Sequence, residues 1–235
     1  MKIGIGIPHA GPIHPKTWSA VFATVLTTGP RAPCHVMTMD GCYVEWNRTK
    51  LVRAAREAGC DRLLFVDADM AFEPDTLLRL LAVQHETKAA IVGVNYYTRS
   101  QTASVSTVKL HGTSGPTGET GLGTIPTVPF KCWALGTGLM LIDMAVFATL
   151  PHPWFQQTYS PETGDLVYGD DTWFCKRAGE AGHTIICDPR IPVSHIGDFE
   201  YCGQPETLIP DVKDAPTLRQ QVTRQLKRAL RRKTG

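Results

Sequence analysis

The sequence predicts an α/β fold, and three observations predict it. Short apolar runs of strand length recur at residues 2–7, 62–66 and 89–94. Segments of helical periodicity alternate with them, as in sheets covered by helices. A hydrophobic content of 43% against 20% charged over 235 residues suffices for one buried core and excludes a disordered chain.

Each element has its own reason. Residues 2–7 form a strand closed by Pro8-His9-Ala10-Gly11-Pro12, a loop. Residues 18–26 suit a helix and 35–39 a second strand. Residues 47–58 carry Leu51, Val52, Ala54, Ala55 and Ala58 at helical spacing, with Gly59 as the stop. Residues 62–66 read as a buried strand. Pro74 stands where a first helical residue would, before Leu77, Leu78, Leu80 and Leu81. Residues 89–94 return as a strand, so roughly the first 100 residues predict a parallel sheet. Further on, strands are expected at 103–110, 130–134 and 139–142, with a loop rich in Gly, Thr and Ser at 111–124. A helix at 171–181 and a strand at 183–187 complete the body.

Composition narrows the function classes. The seven cysteines are odd in number and contain no CxxC pair, which fits a reducing cytosol better than a zinc site or a disulfide framework. The apolar run at the N-terminus is too short for a signal peptide. The longest apolar stretch, 133–150, contains Asp143, Gly136 and Gly138, so a soluble, cytoplasmic protein without a transmembrane segment is expected. The net charge of +2 is a sum of unlike parts. Residues 1–216 carry 17 Lys and Arg against 22 Asp and Glu, a net of −5; residues 217–235 carry seven cations and no acid, a net of +7.

Three places carry chemistry. Asp67 and Asp69 follow the strand at 62–66, and side-chain alternation would turn both carboxylates to one side of its carboxyl end. Ligands bind at that end of open α/β sheets, and paired carboxylates suit Mg²⁺ or Mn²⁺. Thirteen aspartates would yield about 0.7 such pairs by chance, so position, not the pair itself, is the signal. Asp170 and Asp171 open a helix; capping explains one acid readily and two less well, because neighbouring carboxylates repel. His195 follows a strand and offers an imidazole to a transition-type cation.

In order, Phe65-Val66-Asp67-Ala68-Asp69-Met70, Leu135-Gly136-Thr137-Gly138-Leu139, Gly169-Asp170-Asp171-Thr172-Trp173 and His195-Ile196-Gly197 resemble glycosyltransferases of the GT-A fold. The likeness runs over roughly residues 2 to 200 and is greatest to the small stand-alone members of bacteriophage genomes. It implies a Rossmann-like nucleotide-sugar-binding half at 1–100 with a mixed sheet, and an acceptor half at 101–216. It implies a nucleotide-sugar donor, with UDP-sugar expected, and Mn²⁺ or Mg²⁺. By resemblance Asp69 is the direct metal ligand, Asp67 contacts the ribose or a metal-bound water, and His195 is the late metal-binding histidine. Gly136 and Gly138 would let the backbone approach the sugar. Asp171 matches the general base of inverting members, and inversion is expected. Asp170 stands where that family has Glu, one methylene longer. Pro8 and His9 end the first strand, where the nucleotide base lies in this fold. Arg48 and Arg99 are candidate diphosphate or acceptor contacts.

The tail has Leu218, Val222, Leu226 and Leu230 at a spacing of four, a helix with one apolar stripe and basic flanks. Three readings stay open: a helix docked on the body, peripheral contact with anionic lipid, or contact with nucleic-acid phosphates. Some phage glycosyltransferases decorate hydroxylated bases in DNA, so double-stranded DNA is the leading acceptor. The 111–124 loop and the rings of Trp133, Trp154 and Phe155 could then receive a flipped base. Polysaccharide, lipid-linked and protein acceptors are the alternatives. A nucleotidyltransferase is disfavoured because no glycine-rich phosphate loop with a basic residue follows the first strand. A non-catalytic nucleic-acid-binding module is the remaining class.

Overall fold

Two apolar clusters, one on each face of a seven-stranded sheet, hold the fold together. The computed structural model describes residues 1–98, 106–110, 125–197 and 200–201. Arg99, the 111–124 loop, Cys202 and the 217–235 tail lie outside the described residues, as does part of the strand expected at 103–110.

The chain begins β1 (Ile3–His9), α1 (Pro15–Thr28), β2 (Cys34–Asp40), α2 (Val44–Glu57) and β3 (Arg62–Val66). A short β4 (Met70–Phe72), α3 (Thr76–Thr87) and β5 (Ile91–Val94) follow. The later part adds β6 (Phe130–Lys131), β7 (Leu139–Asp143), α4 (Val146–Thr149), β8 (Thr158–Tyr159) and β9 (Leu166–Tyr168). It closes with α5 (Asp170–Glu180), β10 (Ile185–Asp188), β11 (Val193–Ile196) and β12 (Glu200–Tyr201).

The main sheet has the order β2-β1-β3-β7-β5-β10-β6. Strands β2, β1 and β3 are mutually parallel, as the early alternation predicts. The expected parallel sheet over the first 100 residues is nevertheless interrupted. Strand β7 enters antiparallel between β3 and β5, pairing with both. Its run Leu139-Met140-Leu141-Ile142 is buried on both faces, and such a strand is stable only in the middle of a sheet. The result is a mixed sheet.

Strand β3 shows why its sequence is apolar without alternation. Leu63 and Phe65 face the cluster under α2, α4 and α5, while Leu64 and Val66 face the cluster under α1 and α3. Burying each is worth at most about 1.5–3 kcal/mol. Trp154 and Phe155 belong to the first cluster, packed with Phe147 and Phe174. These two rings are core and offer no face for a stacked base.

Two helix starts differ from expectation by one or two residues. Helix α3 begins at Thr76, after Pro74 and Asp75 rather than at the proline. Helix α5 begins at Asp170 with Gly169 as its N-cap, so neither acid of the pair is the cap. Among the described cysteines all six are free thiols, and four of them are buried. No helix among the described residues is long and apolar enough to cross a membrane.

Candidate active site

The carboxyl ends of β1, β2 and β3 open onto a cleft of about 760 Å³. Asn47, buried on α2, fixes this rim. Its Nδ2 donates to the carbonyls of Gly41 at 2.7 Å and His9 at 3.3 Å, tying the ends of β2 and β1 together. Pro8, His9, Arg48, Asp67, Asp69 and His195, which the sequence lists far apart, all line this one cleft.

The two carboxylates after β3 do not share a partner. The strand ends at Val66 and the chain turns through 67–69, so strand alternation no longer governs them. Asp67 Oδ1 accepts from Arg48 Nη2 at 3.0 Å. Asp69 Oδ2 lies 3.3 Å from His195 Nε2. That second pairing depends on β4, a strand not apparent in the sequence. Strand β11 runs antiparallel to β4 with His195 opposite Met70, and the Ile196 amide donates to the Asp69 carbonyl at 2.7 Å.

His195 is oriented from behind. Its Nδ1 lies 3.0 Å from the Tyr97 carbonyl, which can only accept, so Nδ1 carries the proton. Nε2 in the neutral ring then presents a lone pair toward the Asp69 carboxylate. Two electron-rich atoms at that distance repel unless a proton or a cation lies between them. A carboxylate oxygen and an imidazole nitrogen are a donor set that fits Mn²⁺. Among the described residues no three His, Cys, Asp or Glu side chains form a ready-made metal cage. The reason is geometric, since Asp67 is turned to Arg48.

Arg48 is the hub of the site. The sequence offers it as a diphosphate or acceptor contact; in the structure its side chain is only 6% exposed. Besides Asp67, its Nη1 donates to Asp170 Oδ2 in a tight ion pair with a carboxylate 10% exposed. Burial works against the guanidinium charge, yet Asp67, Asp170 and Asp171 outweigh it and hold its pKa above the ordinary value. Arg48 Nε is buried without a hydrogen-bond partner, as is Asn47 Oδ1.

The acid pair divides its work. Asp170 is committed to Arg48. Asp171 accepts from its neighbour Thr172, at 2.6 Å from the amide and 3.0 Å from Oγ1. Burial pushes the Asp171 carboxyl up, and Asp170 adds to the rise; Arg48 and Thr172 only partly offset it. Asp170 and Asp171 are not among the residues lining the cleft; Arg48 connects Asp170 to it.

Gly136 and Gly138 lie against Tyr96. A Cβ on Gly136 would overlap the phenol oxygen, and one on Gly138 would sit 2.7 Å from it. That oxygen accepts the Gly138 amide at 2.9 Å, and the Asp67 amide donates to the Gly138 carbonyl at 3.0 Å. The glycine segment is therefore fixed to both Tyr96 and the acidic turn. The same Tyr96 ring meets His195 edge-on, with centroids 5.6 Å apart.

Tyr96, Tyr97 and Asn47 are site residues that sequence reasoning missed. Their only signal was position: two follow strand β5 and one lies in the first turn of α2. Lys109 is another, bridged at its backbone to Ala134. Burial lowers its pKa, and the Asp171 charge opposes that. At the rim beyond Cys42, Tyr43 and Trp46 are exposed, with Lys50 and Arg53 within 5.4 and 5.2 Å of the Trp46 ring.

No family model matches the chain, and no curated protein does. Among solved structures, the crystal structure of A197 from STIV matches with a TM-score of 0.59 at 14% identity, covering 89% of this chain and 93% of that one. At such identity the likeness is one of fold. With a seven-stranded mixed sheet and five helices among the described residues, the chain has a Rossmann-like GT-A fold, and the likeness to that protein is one of architecture.

Proposed function

We propose that this protein is a metal-dependent glycosyltransferase, moving a sugar from a nucleoside-diphosphate sugar to an acceptor hydroxyl. The observation that carries this reading is the single cleft joining Asp67, Asp69, His195 and the end of β1, wired through Arg48 to Asp170. UDP-sugars are the first donors to test. Pro8 and His9 would border the nucleotide base.

Asp69 and His195 would hold Mn²⁺ or Mg²⁺, which when bound supplies positive charge to the departing diphosphate. Asp67, held by Arg48, would orient the ribose. Asp171 would accept the proton of the acceptor hydroxyl as its oxygen bonds to the anomeric carbon and the bond to the diphosphate breaks. Its raised pKa suits it to that transfer. Asp170 and Arg48 position rather than react.

For the acceptor we propose a hydroxylated base in DNA, such as 5-hydroxymethylcytosine. The seven cations at 217–235 and the Tyr43, Trp46, Lys50 and Arg53 group beside the cleft support an anionic, ring-bearing acceptor. A thermal-shift panel of UDP- and GDP-sugars with and without Mn²⁺ tests the donor half, because a ligand of the native state raises apparent stability. Metal-dependent stabilisation by at least one donor is expected; none from any donor would refute it. Mass spectrometry of hydroxymethylated DNA after incubation with the active donor tests the acceptor half. An unmodified base beside a glycosylated polysaccharide, lipid or protein would replace DNA as acceptor.

A further inference from the structure

Helix α1 carries an apolar stripe that nothing among the described residues covers. Trp18, Phe22 and Leu26, four residues apart, are 43%, 66% and 62% exposed. The opposite side of the helix, through Thr17, Ala20, Val21, Thr24 and Thr28, is buried. Lys16 is the only charged residue of α1. A contiguous set of large apolar side chains on a helix surface marks an interaction site.

We propose that residues 217–235 fold as a helix and dock the stripe Leu218, Val222, Leu226 and Leu230 onto Trp18, Phe22 and Leu26. Both stripes repeat every four residues, and two such ridges interdigitate when helices cross at about 50°. The chain also leaves the described residues in the right place. Strand β12 belongs to the small sheet β12-β11-β4. Helix α1 is joined to the turn before β4, where the His14 amide and Thr17 Oγ1 both donate to the Ala68 carbonyl at 2.8 and 3.0 Å. The fifteen residues 202–216 span up to about 50 Å, ample to reach α1 from Tyr201.

Charge and size agree with this occupant. At helical spacing Arg224, Lys227, Arg228, Arg231 and Arg232 would lie off the apolar stripe, so docking would leave these five cations in solvent. Roughly 300–400 Å² of exposed side chain on α1 matches one short helix, whereas a stable dimer needs about 800 Å² per partner. His14 and Pro15 at the start of α1 line the cleft, so a docked tail would bring cations toward its rim. That last consequence rests on the proposed transferase reading; the docking does not.

Hydrogen–deuterium exchange of the full chain, read by mass spectrometry, tests the docking. Amides of 217–235 should exchange at least about tenfold more slowly than in the same segment as a free peptide. Phe22→Glu with Leu26→Glu should return them to the peptide rate, and so should Leu226→Glu with Leu230→Glu from the other side. Phe22 and Leu26 are exposed, and donor-dependent thermal shifts report separately whether the cleft survives. Free-peptide exchange in the unaltered chain, or protection that persists in the α1 variant, would overturn the proposal. So would dimerisation, or flotation with phosphatidylglycerol-containing vesicles, that a chain ending at 216 retains and the α1 variant loses. Those outcomes would assign the stripe to a second copy or to a membrane.

Discussion

Arg48 and Asp170, 122 positions apart in the chain, form a buried ion pair that ties α2 to the first turn of α5. Because Arg48 also holds Asp67, one guanidinium sets the place of the acidic turn and of the acid pair together. Removing it strands a desolvated carboxylate. Arg48→Leu should therefore lower unfolding free energy in urea by about 3–5 kcal/mol, as for other broken buried pairs. Arg48→Lys should recover little of that loss, since an ammonium cannot span two carboxylates as a fork. A change under about 1 kcal/mol in Arg48→Leu would show the pair to be solvated.

Asp171 links stability and chemistry through pH. The fold raises its pKa above the ordinary 3.8, so between the two values the native state holds a proton that the unfolded chain has released. Stability attributable to this group falls as pH rises through that window, and the penalty is complete above the folded pKa and absent below the unfolded one. Asp171→Asn keeps an oxygen for Thr172 and removes the charge. The variant should be more stable than the parent at pH 7, equal to it at acidic pH, and without transferase activity. NMR of the parent's product should show an inverted anomeric centre. Retention there would take the base role from Asp171.

Tyr96 explains the glycines on either side of Thr137 by packing alone. Gly138→Ala should cost about 1–3 kcal/mol, typical of overpacking, because the buried ring cannot withdraw. Pairing it with Tyr96→Ala should make the two losses less than additive in a double-mutant cycle. Strict additivity would mean that the two residues do not contend for the same space.

Asp69 and His195 should act as one unit toward the cation. Either Asp69→Asn or His195→Ala should weaken the Mn²⁺-dependent thermal shift at least about tenfold in metal concentration, with little further loss in the double variant. A full Mn²⁺ response in Asp69→Asn would make the contact with His195 purely structural.

Much of this was legible before any coordinates. Local rules sufficed for β3, whose bounds at Arg62 and Val66 agree with the sequence reading, and for α2 and α5 to within a few residues. A run of four apolar residues between turn signals reads as a doubly covered strand, and helical periodicity ended by glycine reads as a short helix. The chain order of acidic turn, glycine segment, acid pair and histidine likewise pointed to one reaction class by resemblance.

What the sequence could not hold was any fact created by pairing across distance. The insertion of β7 between β3 and β5 depends on which apolar strand best fills a two-faced slot, a comparison among distant segments. Strand β4 has only three residues and exists because β11 pairs with it, and that pairing alone brings His195 to Asp69. The burial of Arg48 follows only when α5 delivers Asp170 to it, since a charge is buried only where its partners meet. Sequence thus determined the elements and the chemical inventory of this protein. Tertiary structure decided the partnerships, because burial and Coulomb attraction act on distances in space that residue numbers do not encode.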